Sequence, residues 1–200
     1  VRAMDNVVDR TIYPLKQQAD EAKDKRRMGL GITGLGNTLT LIGLKYGSPQ
    51  AVAFIKKIMR ILSNTAYEAS SDRSIDKGSF PLYEADKYIE SGYIKKLPPR
   101  LRDKIKQQGI RNSHLISIAP TGTISFCADN ISSGLEPVFM SEVDRTVNTE
   151  LGTQIVKLKD YLLEKHQMLG QTTEDLTIDD HLNTQIACQP YVDSAISKTI

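Results

Sequence analysis

The strongest constraint in this sequence is one long helical stripe that something must cover. From Ser48-Pro49 to about Ser74, apolar or small residues recur at Ala51, Phe54, Ile55, Ile58, Ile61, Leu62, Thr65 and Ala69. That three-and-four spacing is one face of a helix. Ser48 followed by Pro49 is a favourable entry, because the serine can cap and the proline pre-sets the first turn. A stripe of this length is stable only when other elements pack on it. The chain therefore reads as packed and globular, with 40% apolar and 25% charged residues. Two hundred residues suffice for one domain with a core.

Shorter elements surround that helix. Val1, Met4, Val7, Val8 and Ile12 predict a helix that Pro14 ends, and a polar, charged connection runs on to Arg27. "NTLTLIGLKYG" predicts a short helix closed by Gly47. "KGSFPLYEADKY" predicts a turn into another, and Pro98-Pro99 opens one that ends near Gly109. Glu150 to His166 carries Leu151, Ile155, Leu158, Leu162 and Leu163 at helical spacing. Asp179-Asp180 can cap a last helix through Cys188 or Tyr191. "HLISIAP" and "SAISKTI" read as short strands. The expected fold class is α/β: a mostly helical segment whose few strands need partners from outside it. Both ends read as internal to a longer polypeptide.

Several function classes are disfavoured. A net charge of +2 gives no electrostatic case for nucleic acid. No apolar run is long enough to span a membrane. Cys127 and Cys188 form no C-x-x-C pair, which suits a reduced, cytoplasmic protein. Cys127, next to Phe126, reads as a small buried group. His114, His166 and His181 have no metal-ligand spacing and read as surface or satisfied core residues.

Two glycine-containing stretches bear on function. "RRMGLGITGLGNTL" places Gly29, Gly31 and Gly34 in the G-x-G-x-x-G pattern of dinucleotide sites. "EAKDKRRM" before it is no buried strand, and no acidic residue stands at the expected distance after it. The glycines then serve close backbone packing. The second stretch runs from "HLISIAP" through Pro120-Thr121-Gly122-Thr123-Ile124-Ser125 into a short helical pattern. Hydroxyls, a glycine turn and a helix start near Thr123 make either an anion site or an ordinary Thr/Ser-capped helix. No lysine follows the glycine, so it is no P-loop.

The ordered set "RRMGLGITGLGNTL", "KGSFP", "NSHLISIAPTGTISFCADNISSGLEPVF" and "YVDSAISKTI" resembles the large catalytic chain of ribonucleotide reductases. The "APTGTIS" form is most similar to the adenosylcobalamin-dependent class. The resemblance covers essentially residues 1–200 as a single segment, the second half of a ten-stranded α/β barrel, incomplete at both ends. It implies that Pro120, Thr121, Gly122, Thr123, Ile124 and Ser125 hold the phosphates of a ribonucleotide substrate. It implies packing glycines in the first stretch, and a parent enzyme that removes the ribose 2′-hydroxyl by radical chemistry to make deoxyribonucleotides. Adenosylcobalamin, a thioredoxin-like reductant, the remainder of the chain and a homodimer are the implied cofactor and partners. The family's thiyl and redox cysteines match neither Cys127 nor Cys188, so no catalytic residue and no metal ligand is expected in this segment, and the isolated segment is expected to be inactive. A rival expectation is a naturally separate, non-catalytic subunit that completes a barrel with a partner chain.

Overall fold

The computed structural model describes residues 1–149 and 152–199. In chain order its helices are α1 (Arg2–Arg10), α2 (Lys16–Lys25), α3 (Leu35–Leu41), α4 (Pro49–Lys77), α5 (Ala85–Ile89), α6 (Pro99–Gln108), α7 (Tyr161–His166) and α8 (Ile178–Cys188). A hairpin of β1 (Glu142–Thr149) and β2 (Gly152–Lys159) lies between α6 and α7. The chain gathers into two compact units. The first holds residues 1–30, 57–117 and 190–195; the second holds 31–56, 118–189 and the chain from Ile196 onward. Among the described residues, no helix is long and apolar enough to cross a membrane.

In the first unit, α2 stands where the sequence suggested only a charged connection. None of its residues is buried. Ion pairs one turn apart, Lys16–Asp20 at 2.5 Å and Lys25–Glu21 at 2.6 Å, accompany it in place of an apolar stripe. The α1 helix stops at Arg10, and its one buried side chain is Asp5 rather than any of the apolar residues that predicted it. Helix α4 extends to Lys77; Ala51 and Ile55 of the expected stripe are buried, but from Met59 onward the buried line is offset from it. Within the first unit Met59, Ser63, Ala66, Tyr67, Ser70, Ser71 and Ser74 are buried, whereas Ile61 is 55% exposed. The reason is polar packing. Ser70 Oγ donates to Asn112 Oδ1 at 2.9 Å, Ser71 Oγ to the Gly109 carbonyl at 2.9 Å, and Ser74 Oγ to the Gln108 carbonyl at 2.9 Å. Helix α6 begins on Pro99 and ends on Gly109, whose φ of 87° favours glycine.

The two expected strands are single bridges, not ladders. In the first unit Leu30 pairs in parallel with Ile116, and in the second Ile118 pairs with Ile196. The Asp193 carboxylate accepts from the N–H groups of Leu115 at 2.7 Å and Ile116 at 3.0 Å. A side chain thus occupies donors that a neighbouring strand would take in a longer ladder.

In the second unit, the helix expected over Glu150–His166 is replaced by the antiparallel hairpin, in register from Glu142 opposite Lys159 to Thr149 opposite Gly152. Glu150 and Leu151 lie outside the described residues. Thr146, Thr153, Ile155 and Val156 are β-branched and suit a pleated surface. Ile155 is 72% exposed, so its helical spacing with Leu158 and Leu162 marked no buried helix face. Only Tyr161–His166 is helical, opened by Asp160, whose carboxylate accepts from Leu162 N–H at 2.9 Å. Helix α8 is capped by Thr177 rather than by the acidic pair. Asp180 N–H donates to the Thr177 hydroxyl, and Asp180 Oδ2 accepts from Thr177 N–H at 3.0 Å. That reciprocal box fixes the end of α8 that carries His181. Thr177→Ala is expected to cost about 1 kcal/mol in urea unfolding.

Candidate functional site

The site is built on the 120–125 loop of the second unit. Thr121 adopts a φ of 54°, an uncommon backbone for a β-branched residue. Its neighbours hold it there. The Thr121 hydroxyl lies 2.8 Å from the Thr33 hydroxyl and accepts from Gly134 N–H at 2.8 Å. Thr33 in turn donates to the Ser132 carbonyl at 3.1 Å. Thr121 is therefore a strut with its oxygen committed to protein. Ser125 is buried and donates to the Gly122 carbonyl at 3.1 Å. The helical pattern after the loop is a single 3-10 segment, Ile124–Ala128, opened by Thr123. Among the described residues, the N–H groups of Gly122 and Thr123 find no acceptor. Open space lies over Gly122. Of the six sequence-predicted residues, the main chain of Gly122 and Thr123 offers free donors, while Thr121 and Ser125 shape the turn. Pro120 and Ile124 are exposed and contribute backbone.

Gly122 and Ser125 line a cavity of about 450 Å³. Glu136, Asp160, His181 and Thr199 line it too. Two of these, Glu136 and His181, belong to a bonded group that no spacing in the sequence marks. Lys198, with its side chain 1% exposed, donates to Glu136 Oε2 at 2.5 Å, to His181 Nδ1 at 2.6 Å and to the Thr199 carbonyl at 2.8 Å. Glu136 Oε1 accepts from Thr199 N–H at 2.7 Å. An ammonium only donates, so the His181 nitrogen facing it must accept. The ring is then neutral, with its proton on Nε2. Burial, followed by the Lys198 charge, holds the His181 pKa below its ordinary value. No sequence spacing joins residues 136, 181 and 198. The fold brings together three elements; the sequence marks Glu136 and Lys198 only within longer blocks and His181 only as a surface or satisfied core residue.

The first glycine stretch is a packing device. A Cβ on Gly36 would sit 2.8 Å from the Glu136 carbonyl and 2.9 Å from Pro137 Cα. The start of α3 is occupied by protein: Gly34 N–H donates to the Ser132 carbonyl at 2.7 Å and Asn37 N–H to Ser132 Oγ at 3.3 Å. With Leu35, Gly36 and Asn37 buried, a dinucleotide pyrophosphate has no access to that helix start. Cys127 is exposed, against the expectation of a small buried group, because the short 3-10 turn directs it outward. Cys188 is buried, and burial pushes its thiol up to about 12, which leaves it unreactive. Among the described residues, no cluster of His, Cys, Asp and Glu suits a metal ion. The first unit has its own cavity of about 520 Å³, walled by Tyr67, Phe80, Tyr88 and Tyr93. Of its two carboxylates, Glu84 and Asp193, the latter is already held by Tyr67 and two backbone N–H groups.

A family model for the ribonucleotide reductase barrel domain matches residues 1–200. The chain belongs to that family. It is 27% identical over its full length to a vitamin B12-dependent ribonucleoside-diphosphate reductase of Mycobacterium tuberculosis strain H37Rv, covering 30% of that protein. It is 28% identical over its full length to the protein of the same name from Thermoplasma acidophilum, covering 27% of it. A ribonucleoside-diphosphate reductase subunit alpha of Treponema pallidum is 29% identical over 69% of the chain and 17% of its own length. The chain thus spans less than a third of the length of these relatives.

Proposed function

We propose that this chain forms the part of a ribonucleoside-diphosphate reductase barrel, its second half, that seats the phosphates of the substrate. The observation that carries the reading is the pair of N–H groups at Gly122 and Thr123 that find no acceptor among the described residues, in a loop whose Gly122 lines the cavity and has open space beside its Cα. Backbone donors fixed by Thr121, Thr33 and Gly134 need no reorganisation when an anion arrives. Seating the phosphates fixes where the ribose lies, which is how a non-reacting part of a substrate supports chemistry elsewhere. The reacting groups are assigned to the portion of the relatives that this chain does not span.

Two relatives are named as vitamin B12-dependent, in keeping with the adenosylcobalamin that the sequence resemblance implies. The two cavities do not fit it. Cavities of about 520 and 450 Å³ suit drug-sized ligands, far smaller than a corrinoid. Its contact surface, like a reductant's docking surface and a dimer interface, belongs outside these cavities on this reading.

Thr123→Pro deletes one of the two N–H donors at a φ of −86°, near the proline range. In the full-length protein it is expected to raise KM for a ribonucleoside diphosphate by roughly tenfold or more, the worth of a hydrogen bond to a charged group. Thr123→Val, which removes only the hydroxyl, is expected to stay within about threefold. Equal effects of the two variants would refute backbone recognition.

A further inference from the structure

Lys198, its side chain buried behind Glu136 and His181 of the cavity lining, has nothing left to give a ligand. Its three N–H bonds are taken by Glu136, His181 and the Thr199 carbonyl. Both Glu136 oxygens are taken as well, one by Lys198 and one by Thr199 N–H. A direct phosphate–lysine contact would require breaking this set. What the set does offer is a locked imidazole. His181 Nδ1 is held as an acceptor, its Nε2 has no partner among the described residues, and its ring lines the cavity. Tyr46 packs on the ring with centroids 5.9 Å apart, so the ring is held in orientation as well as in tautomer.

We propose that Lys198 and Glu136 are positioning residues that keep His181 a neutral imidazole with its Nε2–H offered to an oxygen of the phosphorylated ligand in this cavity. The proposal rests on the phosphate-seat reading above and adds a third donor to it, from a side chain on another element. The charged groups facing the ring are Lys198 and Glu136, together with Asp180 on its own helix, which is held by the Thr177 cap. With Lys198 in place, protonating the ring would set two cations against each other at 2.6 Å. The design therefore gives a donor that does not switch with pH in the range where a free histidine does.

The test is equilibrium binding of CDP to the full-length protein between about pH 6 and about pH 8. For the parent, affinity is expected to follow only the titration of CDP itself. His181→Phe is expected to weaken binding roughly tenfold, and His181→Gln, whose amide N–H reaches the place of Nε2, to stay within about threefold of the parent. Lys198→Met leaves Glu136 beside the ring with no cation. The ring is then expected to take up a proton, so that affinity gains a new pH dependence, tightening as the pH falls. The Lys198→Met/Glu136→Gln double variant removes both charges and is expected to lose that new dependence. Parent-like binding by His181→Phe, or a parent-like pH profile in Lys198→Met, overturns the proposal. Thr123→Pro separates it from the loop reading. If Thr123→Pro binds CDP normally while His181→Phe does not, the loop reading fails and the histidine donor stands; the reverse sinks the donor and keeps the loop.

Discussion

Asp5→Asn is expected to lower the unfolding free energy by about 3–5 kcal/mol, the cost of leaving buried charge without its partner. Asp5 is completely buried. Its Oδ1 accepts from Arg26 Nε at 3.0 Å, Arg26 Nη2 at 2.7 Å and Asn112 Nδ2 at 3.1 Å. Its Oδ2 accepts from Arg111 Nε at 3.3 Å, with Lys77 Nζ 3.8 Å away. One carboxylate thus holds α1, the end of α2, the end of α4 and the 111–112 segment in the first unit. Asparagine keeps the shape but removes the charge and turns a donor toward two guanidinium groups. Urea unfolding of the full-length protein followed by circular dichroism measures the loss. Asp20→Asn, which breaks only the exposed α2 pair with Lys16, is the control and is expected to stay within about 0.5 kcal/mol.

The same carboxylate predicts an acid dependence. Burial pushes the Asp5 pKa up, but the hydrogen bonds from Arg26 and Asn112 and the charges of Arg26 and Arg111 outweigh it and hold the value below the ordinary one. A depressed folded value stabilises above the unfolded carboxylate pKa of about 3.9 and is lost as the pH falls through the folded value. The gap between parent and Asp5→Asn is therefore expected to close in acid. A gap that stays constant from neutral pH to pH values below that range would mean that the charge is not what holds the unit.

Asp5 also shows where sequence reading stopped. Apolar periodicity located α1 through Val7 and Ile12, yet these are 63% and 93% exposed and the buried residue is Asp5, which precedes both. Periodicity reports which residues prefer to leave water, and a buried ion pair is invisible to it because each partner alone is polar. The serine face of α4 was missed for the same reason. Punctuation was read better than faces. Pro49, Pro99 and Gly109 mark helix ends where they were expected, because proline and glycine act through the backbone and need no neighbours. Strand β2 was misread because Ile155, Leu158 and Leu162, three and four apart, satisfy a helix template whether or not a partner covers them. In the site, the loop was legible as a local pattern of Thr, Gly and Ser. Glu136, His181 and Lys198 were not, since the bonds joining them span 17 to 62 residues of sequence.

Asn37→Asp, an isosteric change, is expected to disable the cavity wall and cost about 3 kcal/mol or more at neutral pH. Asn37 Nδ2 donates to both oxygens of Asp160 at 3.0 Å, and Asn37 Oδ1 accepts from Ser132 N–H at 2.5 Å. Asn37 is 3% exposed and Asp160 5%. An aspartate at 37 places two carboxylates face to face with no cation, so the pair would hold one proton at a raised pKa. A raised folded value stabilises below the unfolded pKa and is lost as the pH rises, so the deficit of the variant is expected to shrink on acidification, here because the variant gains stability, whereas the Asp5 gap closes because the parent loses it. The Asn37→Asp/Asp160→Asn double variant restores one donor between the two side chains while residue 160 still accepts from Leu162 N–H. It is expected to recover more than half of the lost stability, a coupling that only directly interacting residues show. If it recovers nothing, the pair does not anchor Ser132. The line from α3 through Ser132 to the Thr33–Thr121 strut would then not be what holds the loop in its open-donor conformation.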